Sequence, residues 1–154
     1  MAYTTIDDPS AYFKCQLYTG TGSSNAVTFN DTDTDMQPDL VITKNRDSAR
    51  AGMLFDSVRG VEKRFVTSTD DASGDDSNTL TAFGSDGFTV GSSNEVNESS
   101  DGMVAWCWKE SATSGFDMVA YTGTGSAKTE SHSLSAVPHF MLIKQRSNAY
   151  EWKV

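Results

Sequence analysis

The chain has 154 residues, enough for one ordinary domain or for one domain and part of a second. Its net charge of −9 repels phosphate backbones, so we expect no nucleic-acid partner. Apolar residues make up only 37% of the chain, and no apolar run approaches the roughly 20 residues of a membrane-spanning helix. We therefore expect no membrane insertion and a protein with many polar turns.

Residues 1–12 are polar, contain Pro9 and predict an N-terminal arm that is either extended or forms a short capped turn. Such a leader often becomes ordered only against a partner, which makes Tyr3, Ile6 and Tyr12 candidate contact residues. The first residues lack the basic and apolar regions of a signal peptide, so synthesis in a cytoplasm without export is expected.

The first strand is predicted over residues 13–18, where alternation places Phe13, Cys15 and Leu17 on one face. Glycines then provide a turn, and a short strand follows at residues 26–29. After a polar loop and Pro38, the apolar run at residues 40–42 is typical of a strand covered on both faces.

Asp31, Asp33 and Asp35 alternate like the start of a calcium loop. The Gly at the sixth position and the Glu at the twelfth, which complete such a loop, are missing. A solvated turn is the favoured interpretation, and the three aspartates remain a weak calcium candidate. We expect no cofactor.

Residues 53–55 and 61–66 predict one hairpin, and residues 67–78 predict a solvated acidic loop. Asp86-Gly87 lies between two apolar runs, which is the strongest signal for a tight hairpin in the chain. Residues 103–108 have the highest aromatic density and predict a central strand.

The chain contains an internal repeat. The phrase Tyr18-Thr19-Gly20-Thr21-Gly22 recurs at residues 121–125, and Lys44-Asn45-Arg46 is matched by Lys144-Gln145-Arg146. Repetition should be considered before local patterns because it determines architecture. We predict an all-β protein, a β-sandwich built from a duplicated strand-turn-strand unit with little helix.

The predicted organisation is an arm at residues 1–12, a β-sandwich domain at residues 13–110 and a second copy of the repeat at residues 111–154. Aligned on the Lys-x-Arg pairs, Val154 corresponds to Leu54 inside a strand. The second copy is thus expected to be incomplete, either because the natural polypeptide continues or because another chain completes the strand.

The aromatic residues provide the core candidates, which are Phe13, Phe55, Phe83, Phe88, Trp106, Trp108, Phe116 and Phe140. Candidate interface or binding residues outside the arm are Tyr18, Lys44, Arg46, Tyr121, Lys144, Arg146, Tyr150 and Trp152. A core or subunit-interface role is favoured for the Tyr and Trp residues, and a sugar-stacking surface is the alternative. The Lys-x-Arg pairs place both charges on one side of a strand, where acids of a neighbour can meet them.

Enzymatic chemistry is not expected. The chain has no Gly-x-Ser-x-Gly elbow, its paired acids lie in polar loops, and His132 and His139 have no ligands placed to complete a zinc site. Two cysteines do not make a disulfide framework. Cys107 is expected to be a small buried residue, and a bridge between Cys15 and Cys107 is the less favoured alternative.

A set of phrases resembles a family of virion structural proteins of tailed bacteriophages that infect marine bacteria, including cyanophages. These phrases are Met1-Ala2-Tyr3-Thr4-Thr5-Ile6-Asp7-Asp8-Pro9-Ser10, both Tyr-Thr-Gly-Thr-Gly copies, Gln37-Pro38-Asp39-Leu40-Val41, Lys44-Asn45-Arg46, Phe55-Asp56-Ser57-Val58-Arg59-Gly60, Ser85-Asp86-Gly87-Phe88-Thr89-Val90-Gly91 and Val104-Ala105-Trp106-Cys107-Trp108-Lys109. The resemblance covers nearly the whole chain. This chain has Thr43 where the family usually carries a Trp.

The resemblance implies a structural component of a virion, made in the host cytoplasm and exposed on the particle as a fibre, knob or decoration subunit. It implies other capsid or tail proteins as partners and a homo-oligomeric state, since virion appendages follow particle symmetry. It carries over no catalytic residue. The alternative function is a carbohydrate-binding adhesion module that recognises a host-surface glycan.

Overall fold

The computed structural model describes residues 6–29 and 31–154, and within them the fold is almost entirely β. The strands are β1 Phe13–Thr19, β2 Asn25–Thr28, β3 Leu40–Asn45, β4 Met53–Asp56, β5 Lys63–Val66, β6 Gly74–Asp75, β7 Leu80–Gly84, β8 Gly87–Val90 and β9 Gly102–Trp108. The helical elements of the described residues are a 3-10 turn, Pro9–Ala11, and the one-turn helix α1, Asn94–Asn97. No helix in this part of the chain is long and apolar enough to cross a bilayer.

The strands form two antiparallel sheets. The larger sheet has six strands in the order β1-β9-β3-β4-β5-β6, and the smaller has three in the order β2-β8-β7. Buried side chains from both sheets form one cluster, in which Val27 and Phe88 of the smaller sheet join Val41, Phe55 and Cys107 of the larger. The predicted all-β sandwich with little helix is therefore confirmed.

Strand β9, predicted from its aromatic-rich sequence to be a central strand, is an interior strand of the larger sheet and lies second in the order, next to the edge strand β1. It pairs with β1 along its full length, from Phe13 opposite Trp108 to Thr19 opposite Gly102, and with β3 on its other edge. Both edges of β9 are therefore paired. A slip of one residue would turn its buried side chains to the outside, so its registers with β1 and β3 are fixed.

The hairpins follow the turn signals. Asp86-Gly87 leads from β7 into β8, with Phe83 opposite Phe88. Gly87 has a φ of 127°, and a Cβ there would lie 2.1 Å from the Val27 carbonyl oxygen, so this position requires glycine. The predicted hairpin between β4 and β5 also forms, with Leu54 opposite Phe65. The loop after β5 is less irregular than predicted, because it contains β6 paired to β5.

The aromatic core predictions are correct for some residues and wrong for others. Phe55 and Phe88 are buried, and Phe83 packs against the core. The predicted core residues Phe13 and Phe140 are instead exposed, and Phe116, Trp106 and Trp108 are half-buried. Strand alternation explains Trp106 and Trp108, since Ala105 and Cys107 point into the core and their neighbours must point out.

Residues 111–154 add no strand to either sheet. In this segment the structure has two isolated bridges, Ser111 with Phe116 and Ile143 with Lys153. The predicted boundaries at residues 12/13 and 110/111 stay a prediction, and we call residues 111–154 the second unit below.

Candidate interface

The larger sheet has an apolar face that points away from the core, which we call the outer face. One row of directly opposed side chains crosses it from β1 to β5, and its members are Cys15, Trp106, Ile42, Leu54 and Phe65. Opposed residues of antiparallel strands lie on the same side of a sheet. Since the intervening residues on β3 and β9 belong to the core, this row faces outward.

The β1 end of the outer face is open to solvent. Phe13 and Leu17 are 42% and 56% exposed, and the Phe13 ring lies 5.0 Å from that of Trp108. The predicted alternation of Phe13, Cys15 and Leu17 is present, but on the outside of the sandwich. The opposite side of β1 carries Lys14, which is buried.

At the β5 end the second unit covers the outer face. Trp152 packs edge-on against Phe65, with ring centroids 5.5 Å apart, and its Nε1 donates to the Thr69 carbonyl at 3.2 Å. The Ser73 amide donates to the carbonyl of Arg146 at 2.9 Å. Side-chain and backbone contacts thus attach the second unit to the edge of the sandwich.

Cations surround the Phe65 ring. The Arg59 guanidinium lies 3.9 Å from the ring centroid and the Lys144 ammonium 5.6 Å from it, both within range of a cation–π interaction. Arg59 forms an ion pair with Asp56 at 2.5 Å. Burial lowers the pKa of Arg59, with a smaller contribution from the nearby charge of Arg146.

An open cavity of about 280 Å³ lies beside this cluster. Its lining residues are Arg59, Lys63, Ser73, Asp75, Arg146 and Ser147. The structure therefore brings together three predicted interface residues, Lys144, Arg146 and Trp152, at one edge of the sandwich.

The first Lys-x-Arg pair lies elsewhere. Lys44 donates to the carbonyl of Arg50, while Arg46 is exposed and its amide donates to Gly102 at 2.9 Å. The equivalent residues of the two copies are therefore in different surroundings, because Arg146 lines the cavity at the β5 edge.

The predicted tyrosines do not share one surface. The Tyr18 hydroxyl donates to the Val96 carbonyl at 2.6 Å, its ring packs against Phe88, and burial raises its pKa. Tyr121 and Tyr150 are exposed, and the Lys128 ammonium lies 5.9 Å from the Tyr121 ring. Tyr18 is thus a packing residue of the sandwich.

The arm is described only from Ile6 onward, and Tyr3 lies outside the described residues. Ile6 and Tyr12 are half-buried. Asp8 caps the 3-10 turn by accepting from the Ser10 amide at 3.0 Å, and the Tyr12 carbonyl accepts from Lys109 at 2.9 Å. The last residues of the arm are therefore tied to the end of β9.

The aspartate-rich loop contacts β1. The Lys14 ammonium forms an ion pair with Asp31 at 2.8 Å, and the Asp33 amide donates to the same carboxylate at 3.2 Å. Asp35 is exposed. Among the described residues, no group of three or more His, Cys, Asp or Glu side chains is arranged to hold a metal ion. Asp31 neutralises a buried ammonium in this arrangement.

A carboxylate pair that no sequence pattern indicated joins the two parts of the chain. Glu110 follows β9, and burial together with a hydrogen bond to Asp117 of the second unit raises the pKa of Glu110 to about 7. The Ser133 amide is the main cause of the lowered pKa of Asp117. Because the pKa of Glu110 is raised and that of Asp117 is lowered, the pair holds one proton, on Glu110, up to near neutral pH. Both cysteines are free, Cys15 exposed and Cys107 buried.

The family model described as "Domain of unknown function (DUF7483)" matches residues 8–154. Neither a curated protein nor a solved structure matches the chain. The chain belongs to the DUF7483 family.

Proposed function

We propose that this DUF7483 protein is a structural component of a tailed-phage virion, exposed on the particle as a fibre, knob or decoration subunit. It is made in the host cytoplasm, and it acts through assembly contacts with other virion proteins and with copies of itself. The virion assignment is supported by the sequence phrases that resemble virion structural proteins of tailed phages. They include Phe55-Asp56-Ser57-Val58-Arg59-Gly60 and Val104-Ala105-Trp106-Cys107-Trp108-Lys109.

The observation that carries the assembly role is the outer face. Antiparallel sheets commonly expose one face to water, but that face is then polar. Here the exposed β1 end presents Phe13 and Leu17 beside the half-buried indoles of Trp106 and Trp108. A contiguous exposed apolar patch of this kind marks a site of protein association, and aromatic residues are enriched at the centres of such sites.

The second unit adds another apolar surface. Val137, Phe140, Met141 and Leu142 are all exposed in a short stretch of chain. Covering such side chains with a neighbouring subunit removes apolar area from water and favours association at roughly 25 cal/mol per Å². Assembly into a homo-oligomer on a symmetric particle is the state that these surfaces favour.

The test is to locate the chain on purified particles of the phage that encodes it, using immunogold labelling and particle mass spectrometry. We expect the chain at a fixed position and in a fixed copy number. Leu17→Asp should lower its incorporation at least about tenfold, while Val58→Asp, at an exposed position outside β1 and β9, should leave incorporation unchanged. The proposal would be overturned if the chain were absent from purified particles.

A second candidate is a carbohydrate-binding adhesion module. The observation in its favour is the cavity at the β5 edge, where Arg59, Lys63 and Arg146 face a space large enough for one sugar ring. Guanidinium groups bind carboxylate and sulfate groups well, so the glycan would be acidic. Glycan-array binding that disappears in Arg146→Ala, but not in the exposed-arginine control Arg46→Ala, would favour this function over assembly alone.

A further inference from the structure

Strand β1 forms one edge of the larger sheet, and it is the longest of the edge strands. It has seven residues, whereas the other edge strands β6, β2 and β7 have two, four and five. The β6 edge is also partly covered, because the Ser73 amide donates to the Arg146 carbonyl at 2.9 Å. A long edge strand presents a row of backbone groups to which another strand can add.

The hydrogen bonds to β9 determine which residues of β1 point their backbone groups at the open edge. At one end the Lys109 amide donates to the Tyr12 carbonyl at 2.9 Å. At the other end the Gly20 amide donates to the Asp101 carbonyl at 2.8 Å. Hydrogen-bonded pairs alternate along an antiparallel ladder, so the even-numbered residues of β1 bond to β9. The residues whose amides and carbonyls point away from β9 are Phe13, Cys15, Leu17 and Thr19.

Part of this edge is already closed. The Thr19 carbonyl accepts from the Asn25 side chain at 3.2 Å. The Leu17 carbonyl accepts from the Gln16 side chain at 2.8 Å, an exposed bond that the amide of an added strand can replace. Within the part of the chain that the structure describes, no hydrogen bond is made to the other outward amides and carbonyls of residues 13–17. These residues therefore form the open segment of the edge.

Lys14 does not close the edge to another strand. Edge strands are often protected by an inward-pointing charge, which an added strand would bury without a partner. Lys14 is already buried, and its ammonium forms an ion pair with Asp31 at 2.8 Å. The register with β9 is continuous from Phe13 to Thr19, so β1 runs straight along the edge. Strand addition would leave this ion pair intact.

The residues with open backbone groups also carry exposed side chains on the outer face. Phe13 and Leu17 are exposed apolar residues, and Cys15 between them is an exposed free thiol. A strand that pairs with residues 13–17 therefore satisfies the backbone groups and also places its own side chains beside the apolar ones. The open edge and the open end of the outer face thus point to the same partner.

A second copy of β1 fits this edge. When two copies pair antiparallel about a twofold axis at Cys15, Phe13 of each copy lies opposite Leu17 of the other. Lys14 then lies opposite Gln16, so like charges are not opposed. Apolar side chains directly opposite each other stabilise a strand pair, and like charges destabilise it. The segment is therefore complementary to itself, as a twofold interface requires.

The neighbouring registers fit less well. With the axis one residue later along β1, Phe13 lies opposite Thr19, whose carbonyl already accepts a hydrogen bond. With the axis one residue earlier, Leu17 lies opposite Ala11, which is in the 3-10 turn. Only the axis at Cys15 opposes the open backbone groups with one another.

We propose that two copies of this chain pair β1 with β1, antiparallel about a twofold axis at Cys15. The two six-stranded sheets then form one continuous sheet, and the apolar rows of their outer faces meet. The inference rests on the proposed assembly function and names a second copy as the partner at this edge. Recognition is β-strand addition, in which backbone hydrogen bonds give affinity and alternate side chains give specificity.

The test measures self-association of the full chain by sedimentation equilibrium. We expect a dimer that becomes tighter with added salt, because salt screens the repulsion between copies of net charge −9. Cys15→Pro removes an outward amide from each copy without touching the ladder to β9, and it should weaken association at least about tenfold. Thr19→Pro, on the same strand but outside the paired segment, should associate like the wild-type chain. Leu17→Asp should weaken association at least about tenfold by placing a carboxylate in the apolar seam.

Two further measurements determine the register. A short bis-maleimide should link two wild-type chains through Cys15, and Cys15→Ser, in which only the buried Cys107 remains, should give no link. Hydrogen exchange of the amides of Phe13, Cys15 and Leu17 should be slow in the dimer and fast in Leu17→Asp. The even-numbered amides of β1 should be slow in both, because they bond to β9.

A chain that stays monomeric at every concentration overturns the inference. So does a dimer that Cys15→Pro leaves unchanged, because its contacts are then between sheet faces and not between edges. A monomer with slow exchange at the three amides also overturns it, since another part of the same chain then covers β1. If circular dichroism shows that Cys15→Pro is unfolded, Leu17→Asp and the Cys15 cross-link decide the question.

Failure of this inference can be distinguished from failure of the proposed function. If the chain is found on particles but does not pair through β1, this inference fails alone. If it pairs through β1 but is absent from particles, the proposed function fails.

Discussion

Trp152 and Phe65 pack edge-on with their ring centroids 5.5 Å apart, although they are 87 positions apart in the chain. This contact places a residue of the second unit at the end of the apolar row that crosses the outer face. The row therefore has two different ends, one covered by Trp152 and one left open at Phe13 and Leu17. Assembly contacts are expected at the open end.

Trp152→Ala should detach the second unit from the sandwich without unfolding it. The variant loses the ring contact and the hydrogen bond to the Thr69 carbonyl, which together contribute on the order of 1–3 kcal/mol. Limited trypsin digestion should then cut faster after Lys144 and Arg146. Tyr150→Ala, at an exposed ring two positions earlier, should be cut at the wild-type rate. Equal rates for both variants would show that Trp152 does not hold the segment.

The repeated glycine phrase should respond differently to the same substitution in its two copies. A Cβ at Gly20 would lie 2.0 Å from the Glu98 carbonyl oxygen, whereas a Cβ at Gly123 would meet nothing within 4 Å. Gly20→Ala should therefore lower the free energy of unfolding by about 3 kcal/mol, and Gly123→Ala should change it by less than about 0.5 kcal/mol. Urea denaturation measures both. Similar losses in the two variants would contradict this packing difference.

Thr43→Val should stabilise the sandwich. The Thr43 hydroxyl is buried and has no hydrogen-bond partner among the described residues, and valine has nearly the same shape. Removing this desolvated hydroxyl should raise the free energy of unfolding by about 1 kcal/mol. The matched control is Thr79→Val, because the equally buried Thr79 hydroxyl donates to the Asp76 carbonyl at 2.6 Å. That variant should be destabilised by about 1–2 kcal/mol. A loss of stability in Thr43→Val would show that its hydroxyl is satisfied.

The Glu110–Asp117 pair predicts a pH dependence. The pKa of Glu110 is raised from 4.5 to about 7 in the folded chain, so between these values the folded state holds a proton that the unfolded state has released. The free energy of unfolding should therefore fall as pH rises from about 4.5 to 7. Glu110→Gln should remove this part of the slope, and Glu151→Gln, at an exposed position, should keep it. A wild-type slope in Glu110→Gln would rule out Glu110 as its source.

How far the sequence predicted the fold depends on whether the determining contacts are local. The Asp86-Gly87 turn and the aromatic strand ending at Trp108 were predicted correctly because turn chemistry and strand composition act within a few residues. The outward direction of β1 was not predicted. Alternation shows that Phe13 and Leu17 share a face, but Lys14 is the buried neighbour because Asp31, at a distant position, neutralises it.

The candidate site shows the same limit. The repeat indicated Lys144 and Arg146 as interface residues and the aromatic residues indicated Trp152, and the three lie together at the β5 edge. Nothing local indicated that Tyr18 packs inside the sandwich while its counterpart Tyr121 is exposed. The two tyrosines are followed by the same residues, Thr-Gly-Thr-Gly-Ser, but Tyr18 packs against Phe88 and donates to the Val96 carbonyl of α1, which are contacts between residues distant in the sequence.

The most direct test of the assembly account is hydroxyl-radical footprinting of gradient-purified particles compared with the isolated chain. We predict that the isolated chain is modified at Phe13, Leu17 and Met141, and that in the particle these side chains are protected at least about fivefold, while exposed Val58 is modified equally in both. Equal modification of Phe13, Leu17 and Met141 in both states would contradict the claim that these apolar surfaces are the assembly contacts.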